Sequence, residues 1–176
     1  MRLGLIPLVL VALLGGCGGP EPPPPPPPPP PPTVMDKTLN GAADLNPDGA
    51  GRPSPLTVRV YRLKSTTRLD GADFFQLFDQ EKAVLGDTVT DREELVLTPG
   101  GRQELTAELP PDVHFIGVAA SYRDIDNAVW HRAVPVQANR TNLIDATFGS
   151  RNIDLKATLK PEPIPGPKPG DPKEAD

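Results

Sequence analysis

Leu56–Leu63 reads LTVRVYRL, and its pattern decides the fold. Leu56, Val58 and Val60 fall on one side of an extended chain, and Thr57, Arg59 and Tyr61 on the other. That period of two marks a half-buried β-strand. Pro53 and Pro55 stand just ahead and set its start, because proline has no N–H to give to a strand ladder. Upstream, Asn46–Pro55 (NPDGAGRPSP) is dense with turn residues and predicts a loop. Before that loop, Val34–Leu45 is a weaker strand candidate.

Downstream the period changes. Asp70 is placed to cap a helix, with Asp73 in the favourable first turn. Phe74, Leu77 and Phe78 then fall at i, i+3 and i+4, Asp79–Leu85 extends or restarts the helix, and Gly86 ends it. Such a Phe/Leu stripe is expected to pack on the domain's own sheet. Strand signals return with Glu94–Thr98, which precedes the turn Pro99-Gly100-Gly101. Arg102–Leu109 follows and stops at Pro110-Pro111. Val113–Tyr122 (VHFIGVAASY) is the most apolar run and the predicted central strand. After a turn at Asp124–Asn127 come Val129–Val136, Asn142–Phe148 and Asn152–Leu159. Short strands at this spacing predict a mostly β, two-sheet sandwich with a short helical insert after an early strand.

The ends of the chain differ from this middle. Of 26 prolines in 176 residues, 13 lie in the first 32 and six in the last 16, so whole-chain composition describes no single part. Residues 33–160 are the predicted domain, long enough for one core. They carry 15 Lys and Arg against 18 Asp and Glu. This mild acidity, with no basic run, points away from nucleic acid as a partner.

Met1-Arg2 gives a positive start, and Leu3–Leu14 (LGLIPLVLVALL) is apolar throughout. Twelve residues span about 18 Å as a helix, short of the ~30 Å hydrocarbon core. A secretory signal peptide over residues 1–16 therefore fits better than a membrane span. Leu14-Gly15-Gly16-Cys17 resembles the bacterial lipoprotein box, in which small residues admit the peptidase and the cysteine thiol takes a diacylglyceryl group. The freed amine is then acylated. Three chains exceed the two needed for stable anchoring. Cys17 is the sole cysteine, which excludes an internal disulfide framework and a thiolate zinc cluster. The alternatives for it are a stray thiol in a soluble secreted chain or a buried free thiol. The absence of aspartate after Cys17 favours the outer membrane.

Residues 17–32 form the expected lipidated linker. Pro22–Pro32 is an unbroken proline run, which can form neither helix nor sheet. As polyproline II it makes a semi-rigid rod of about 34 Å. Residues 161–176 alternate proline with charged residues and glycine and predict a disordered tail.

Chemistry-bearing patterns are scarce. There is no G-x-S-x-G, P-loop, H-E-x-x-H or dinucleotide fingerprint. His114 and His131 sit on separate predicted strands with no third ligand offered. Asp124-Ile125-Asp126-Asn127 begins like a calcium loop, but Val129 and Pro135 occupy the positions that need glycine and glutamate. Asp87, Asp91, Glu93 and Glu94 read as solvated charge on a loop and strand edge. No catalytic residue, metal site or cofactor is expected.

One ordered series is more specific. Asp44-Leu45-Asn46-Pro47-Asp48 leads into Gly51–Lys64 (GRPSPLTVRVYRLK). Ala72–Asp79 (ADFFQLFD), Leu85-Gly86, Arg92-Glu93-Glu94, Leu97–Gly100 (LTPG) and Ile116–Asp124 (IGVAASYRD) follow. Over roughly residues 36–159 this series resembles the TssJ lipoproteins of the bacterial type VI secretion system, also called the SciN or VasD family. The resemblance implies a transthyretin-like β-sandwich with added helices and no enzymatic activity. It implies an outer-membrane lipoprotein facing the periplasm that binds the periplasmic C-terminal domain of the inner-membrane protein TssM. The partner contact is attributed to the loop between the first two strands. That loop is Asn46–Ser54 if Val34–Leu45 is the first strand, and Lys64–Gly71 if Leu56–Leu63 is. The former is preferred, with Asn46, Asp48, Arg52 and Ser54 as the contact candidates. A transthyretin-like periplasmic ligand-binding lipoprotein is the alternative, and it needs an apolar pocket.

Overall fold

The computed structural model describes residues 25–162; the signal peptide, Cys17 and most of the tail lie outside them. Val34–Gly41 forms β1 and Leu56–Leu63 forms β2, the latter with the bounds its alternation predicts. Two helices follow, α1 (Thr67–Asp70) and α2 (Phe74–Leu85). The remaining strands are β3 (Val89–Leu97), β4 (Arg102–Glu108), β5 (Phe115–Ala120), β6 (His131–Pro135), β7 (Thr141–Phe148) and β8 (Ile153–Leu159). They make two four-stranded sheets, β4-β1-β7-β8 and β3-β2-β5-β6. The apolar run predicted as a central strand is β5, an inner strand between β2 and β6. Among the described strands only β1 and β7 pair in parallel.

Between the sheets lies the main core, with Met35, Leu39, Leu56, Val58, Val60, Val118, Ile144, Ala146 and Phe148 all buried. Burying each large aliphatic side chain contributes about 1.5–3 kcal/mol. β1 also turns Lys37 inward. Its whole side chain is buried, and its ammonium pairs with the part-exposed Glu93 of β3. A buried amine without such a partner would carry a large desolvation cost.

Three expectations need correction. β2 is half-buried only in its first half. Tyr61 and Leu63 face outward and are fully buried beneath the helices, in a second cluster with Leu69, Leu77, Leu85 and Ala119. The helix cap is Asp73, not Asp70: Asp73 Oδ1 accepts the Gln76 N–H at 3.1 Å, while Asp70 ends α1. Gly71 and Ala72 separate the two helices. β3 begins five residues before the predicted Glu94, because it pairs along the whole of β2, with an irregularity between Arg62 and Leu63. Asp91, Arg92 and Glu93 therefore belong to a strand.

Packing of the helices is close. A Cβ at Gly117 on β5 would come within 2.8 Å of the side chains of Leu63 and Leu69. α2 kinks at Gln80, where φ is −129° and ψ is 35°. The carbonyls of Leu77 and Phe78 accept from Arg59 Nη1 at 3.4 and 3.3 Å, so a sheet residue serves the turn next to the break.

Candidate functional site

With Val34–Gly41 as the first strand, the β1–β2 connection contains Asn46–Ser54, the preferred alternative. Lys64–Gly71 instead leads from β2 into and through α1. The loop is built around two short polar side chains. Asn46 is buried with φ at 45°, a left-handed conformation that asparagine tolerates. Its Oδ1 accepts the Arg123 N–H at 2.9 Å, and its Nδ2 donates to the Pro55 carbonyl at 2.8 Å. Asp48 closes the tip. Its Oδ1 accepts the backbone N–H groups of Ala50 and Arg52 at 2.9 and 3.0 Å, and its Oδ2 accepts Arg52 Nε at 2.8 Å. Gly51, at φ 78°, makes that reversal possible. The Arg52 backbone N–H and then its guanidinium hold the Asp48 carboxyl below the usual carboxylate range. Ser54 is buried; its N–H donates to Leu45 O at 2.9 Å and its hydroxyl to Arg52 O at 3.3 Å.

The four candidates thus divide. Asn46 and Ser54 face inward and shape the loop. Arg52 is 80% exposed, with Asp48 beside it, and this pair faces solvent. Three other connections meet at the same pole. The β3–β4 turn bonds back through Gly100 N–H to Gly41 O at 2.9 Å. The β7–β8 turn takes the Asn46 N–H on Gly149 O at 3.4 Å. The β5–β6 connection brings Arg123 and Asp124. Arg151 pairs with Asp124, whose carboxyl is held low by Asn127 and then Arg151. Sequence reading rejected Asp124–Asn127 as a calcium loop and missed its neighbourhood with Asn46, which are far apart in the chain. The opposite pole carries the start of β1, where Thr33 Oγ1 accepts the Asn139 N–H at 2.8 Å and Pro25–Pro32 leads away exposed.

Elsewhere the titratable groups are spent on ion pairs, the largest set being Arg59, Glu81, Arg92 and Glu94 at the rim of α2. Glu94 pairs with Arg59 and Arg92, Asp91 with Arg62, and Asp87 lies 3.7 Å from Arg68. The Arg59 hydrogen bond holds Glu94 below its usual range. His114 precedes β5, and His131 opens β6 against Ala119, toward the far end of β5. Burial lowers the His131 pKa. Among the described residues, no group of three His, Cys, Asp or Glu side chains could hold a metal. The arrangement offers hydrogen-bonding surface at one pole, without a nucleophile beside a base.

The family described as "Type VI secretion lipoprotein, VasD, EvfM, TssJ, VC_A0113" matches residues 33–158. The chain belongs to this TssJ family. Among solved structures it is similar to the type VI secretion lipoprotein TssJ1 from Pseudomonas aeruginosa, at 34% identity and a TM-score of 0.70, covering 76% of this chain and all of that one. It is also similar to Serratia marcescens Lip, a membrane-bound component of the type VI secretion system, at 25% identity and a TM-score of 0.65, covering 74% and 99%. A chain in a structure described as the TssM C-terminal domain from EAEC shares the fold, at 24% identity and a TM-score of 0.54, covering 73% and 98%. Comparison with curated proteins finds no match. The family is one of secretion-system lipoproteins, not one of enzymes.

Proposed function

We propose that this chain is a non-catalytic adaptor, fixed by acyl chains on Cys17 to the outer membrane and facing the periplasm, that binds the periplasmic C-terminal domain of TssM. Membership of the TssJ family carries this reading. The geometry supports it in a second way. The proline rod and the β1–β2 loop leave opposite ends of β1, so the lipid-proximal pole and the Asp48–Arg52 tip are separated by the length of a strand. An eight-residue strand spans about 27 Å. Added to the rod, this reaches away from the bilayer toward a protein rooted in the other membrane. Anchoring raises the effective concentration for that encounter.

The decisive experiment is co-purification of this protein with the TssM periplasmic domain. Association is expected, and Arg52→Glu should weaken it at least ~10-fold, as for a central charged contact. Its melting temperature should not change, since Arg52 is exposed. Absence of association by the folded wild-type chain would overturn the partner assignment. Cys17→Ser is expected to leave an uncut precursor without lipid label; retained labelling would refute the anchor. The carrier alternative is disfavoured because side chains fill the centre of the space between the sheets, and an open hollow of about 380 Å³ lined by Val134, Asn142, Ala157 and Leu159 lies only at the β6–β8 edge.

A further inference from the structure

We propose that β4 is a homotypic pairing edge, through which two copies of this chain join antiparallel across a two-fold axis at Leu105. The two long sides of the sandwich differ. On one side β6 and β8 close over each other; on the other, β3 and β4 part after their turn. Leu105 sits opposite Lys37 on the inward face of its sheet, yet it is 39% exposed.

The free backbone groups of β4 have the right phase. At the ends of the β1–β4 ladder, Gly41 N–H donates to Gly101 O and Leu109 N–H to Thr33 O. The odd-numbered residues of β4 therefore aim their groups at β1. Arg102, Glu104, Thr106 and Glu108 aim theirs at the open side. A two-fold axis at Leu105 sets Arg102 against Glu108 and Glu104 against Thr106, so the outward groups become the hydrogen-bonded pairs. Leu105 then meets its own copy in a non-hydrogen-bonded pair, where side chains approach most closely. Apolar surface now in water is covered, and two Arg102–Glu108 pairs flank it.

The other edges are less suited: β6 has only five residues and ends on Pro135, which has no N–H to pair. The same operation at the centre of β3 would oppose Glu93 to Glu93, and at the centre of β8 Lys156 to Lys156, both like-charge clashes. An isologous contact closes on itself and does not propagate. The axis is perpendicular to the β4-containing sheet. The pairing does not depend on which protein the β1–β2 loop binds.

The test uses the full chain in cells with an oxidising periplasm. Opposed residues in a non-hydrogen-bonded antiparallel pair have Cα atoms about 4.5 Å apart, within disulfide range. Leu105→Cys is expected to give a disulfide-linked dimer on non-reducing gels. Wild type, whose sole cysteine is Cys17, should not, nor should Val96→Cys, a more exposed site on β3. Adding Arg102→Glu should cut the dimer about tenfold by turning two attractive pairs repulsive, and Glu108→Arg on top should restore it. An unchanged melting temperature for the Arg102→Glu chain shows that the fold survives. A monomeric Leu105→Cys chain, cross-linking no better than Val96→Cys, a disulfide to a different protein, or indifference to the charge swap would each overturn the proposal.

Discussion

The outer faces of the two sheets are made from the same kind of strand and end in opposite conditions. On the β3-β2-β5-β6 sheet the face is roofed by α1 and α2, and Tyr61, Leu63 and Ala119 beneath them are fully buried. On the β4-β1-β7-β8 sheet the face is bare and largely polar, with Leu143 its apolar exception. Asp36, Thr38, Glu104, Asp145, Lys156 and Thr158, with Leu143 and Ile144 among them, line an open hollow of about 580 Å³. The difference arises from where apolar residues fall outside the inward register. β2 has two, Tyr61 and Leu63, and a helix covers them. β1 offers Asp36, Thr38 and Asn40 at the matching positions, and water suffices.

Removing the roof's main anchor should give the largest effect. Leu77 is fully buried against the outward side of β2. Leu77→Ala is expected to cost about 2–5 kcal/mol, measured by urea unfolding. Asp145→Asn on the bare face should stay within about 0.5 kcal/mol. Equal losses at both sites would show that the faces do not differ energetically.

A smaller effect should follow from the polar rim of the roof. Arg59 is 14% exposed and bridges Glu94 at 2.7 Å and Glu81 at 3.2 Å, while Tyr61 Oη donates to Glu81 at 2.9 Å. The guanidinium also lies 4.3 Å from the Phe78 ring centroid. Arg59→Met keeps the stem and removes these bonds, so a loss of about 1–3 kcal/mol is expected. Faster amide exchange around Gln80 should accompany it, because Arg59 serves the carbonyls at the kink. Asp73→Ala, which removes the cap of α2, should cost about 1 kcal/mol. If Asp70→Ala costs more than Asp73→Ala, the capping assignment is wrong.

These residues also show what a sequence can and cannot disclose. The alternation of Leu56–Leu63 marked the bounds of β2, and the Phe74/Leu77/Phe78 spacing marked the packed face of α2, on which Leu77 is buried and the two phenylalanines half-buried, because both follow from local periodicity. Proline and glycine located the β1–β2 loop and the β3–β4 turn. The parallel pairing of β1 with β7 left no local trace, since register between distant strands is written only in their packing. Nothing local marks Lys37 as buried, because its partner, Glu93, is remote in the chain. Asn46 and Ser54 stood among the contact candidates, and only the fold reveals that their polar atoms are spent on Arg123, Pro55 and Arg52. Asp48 and Arg52, the other two candidates, do lie at the exposed tip, where their pairing is short-range and needs no tertiary context.

The smallest expected effect separates the faces by pH. His131 lies on the covered side, with its ring centroid 4.3 Å from Trp130, which in turn meets Phe74 edge-on at 5.3 Å. Burial lowers its pKa; Arg132 lowers it further and Asp70 opposes. In the unfolded chain the value is about 6.5. A depressed folded value means that the native state prefers the neutral ring. Its stabilising contribution is therefore complete above about pH 6.5 and declines as pH falls through the folded value. Asp48 and Glu94 are held below the ordinary carboxylate range and stay ionised over this interval. The urea midpoint should fall between pH 7.5 and pH 5.5 in wild type and fall less in His131→Gln. Because Trp130 is the only tryptophan, its fluorescence reports the same titration from beside the imidazole. A wild-type midpoint that falls no further than that of His131→Gln would mean that the roof does not shield His131 from water.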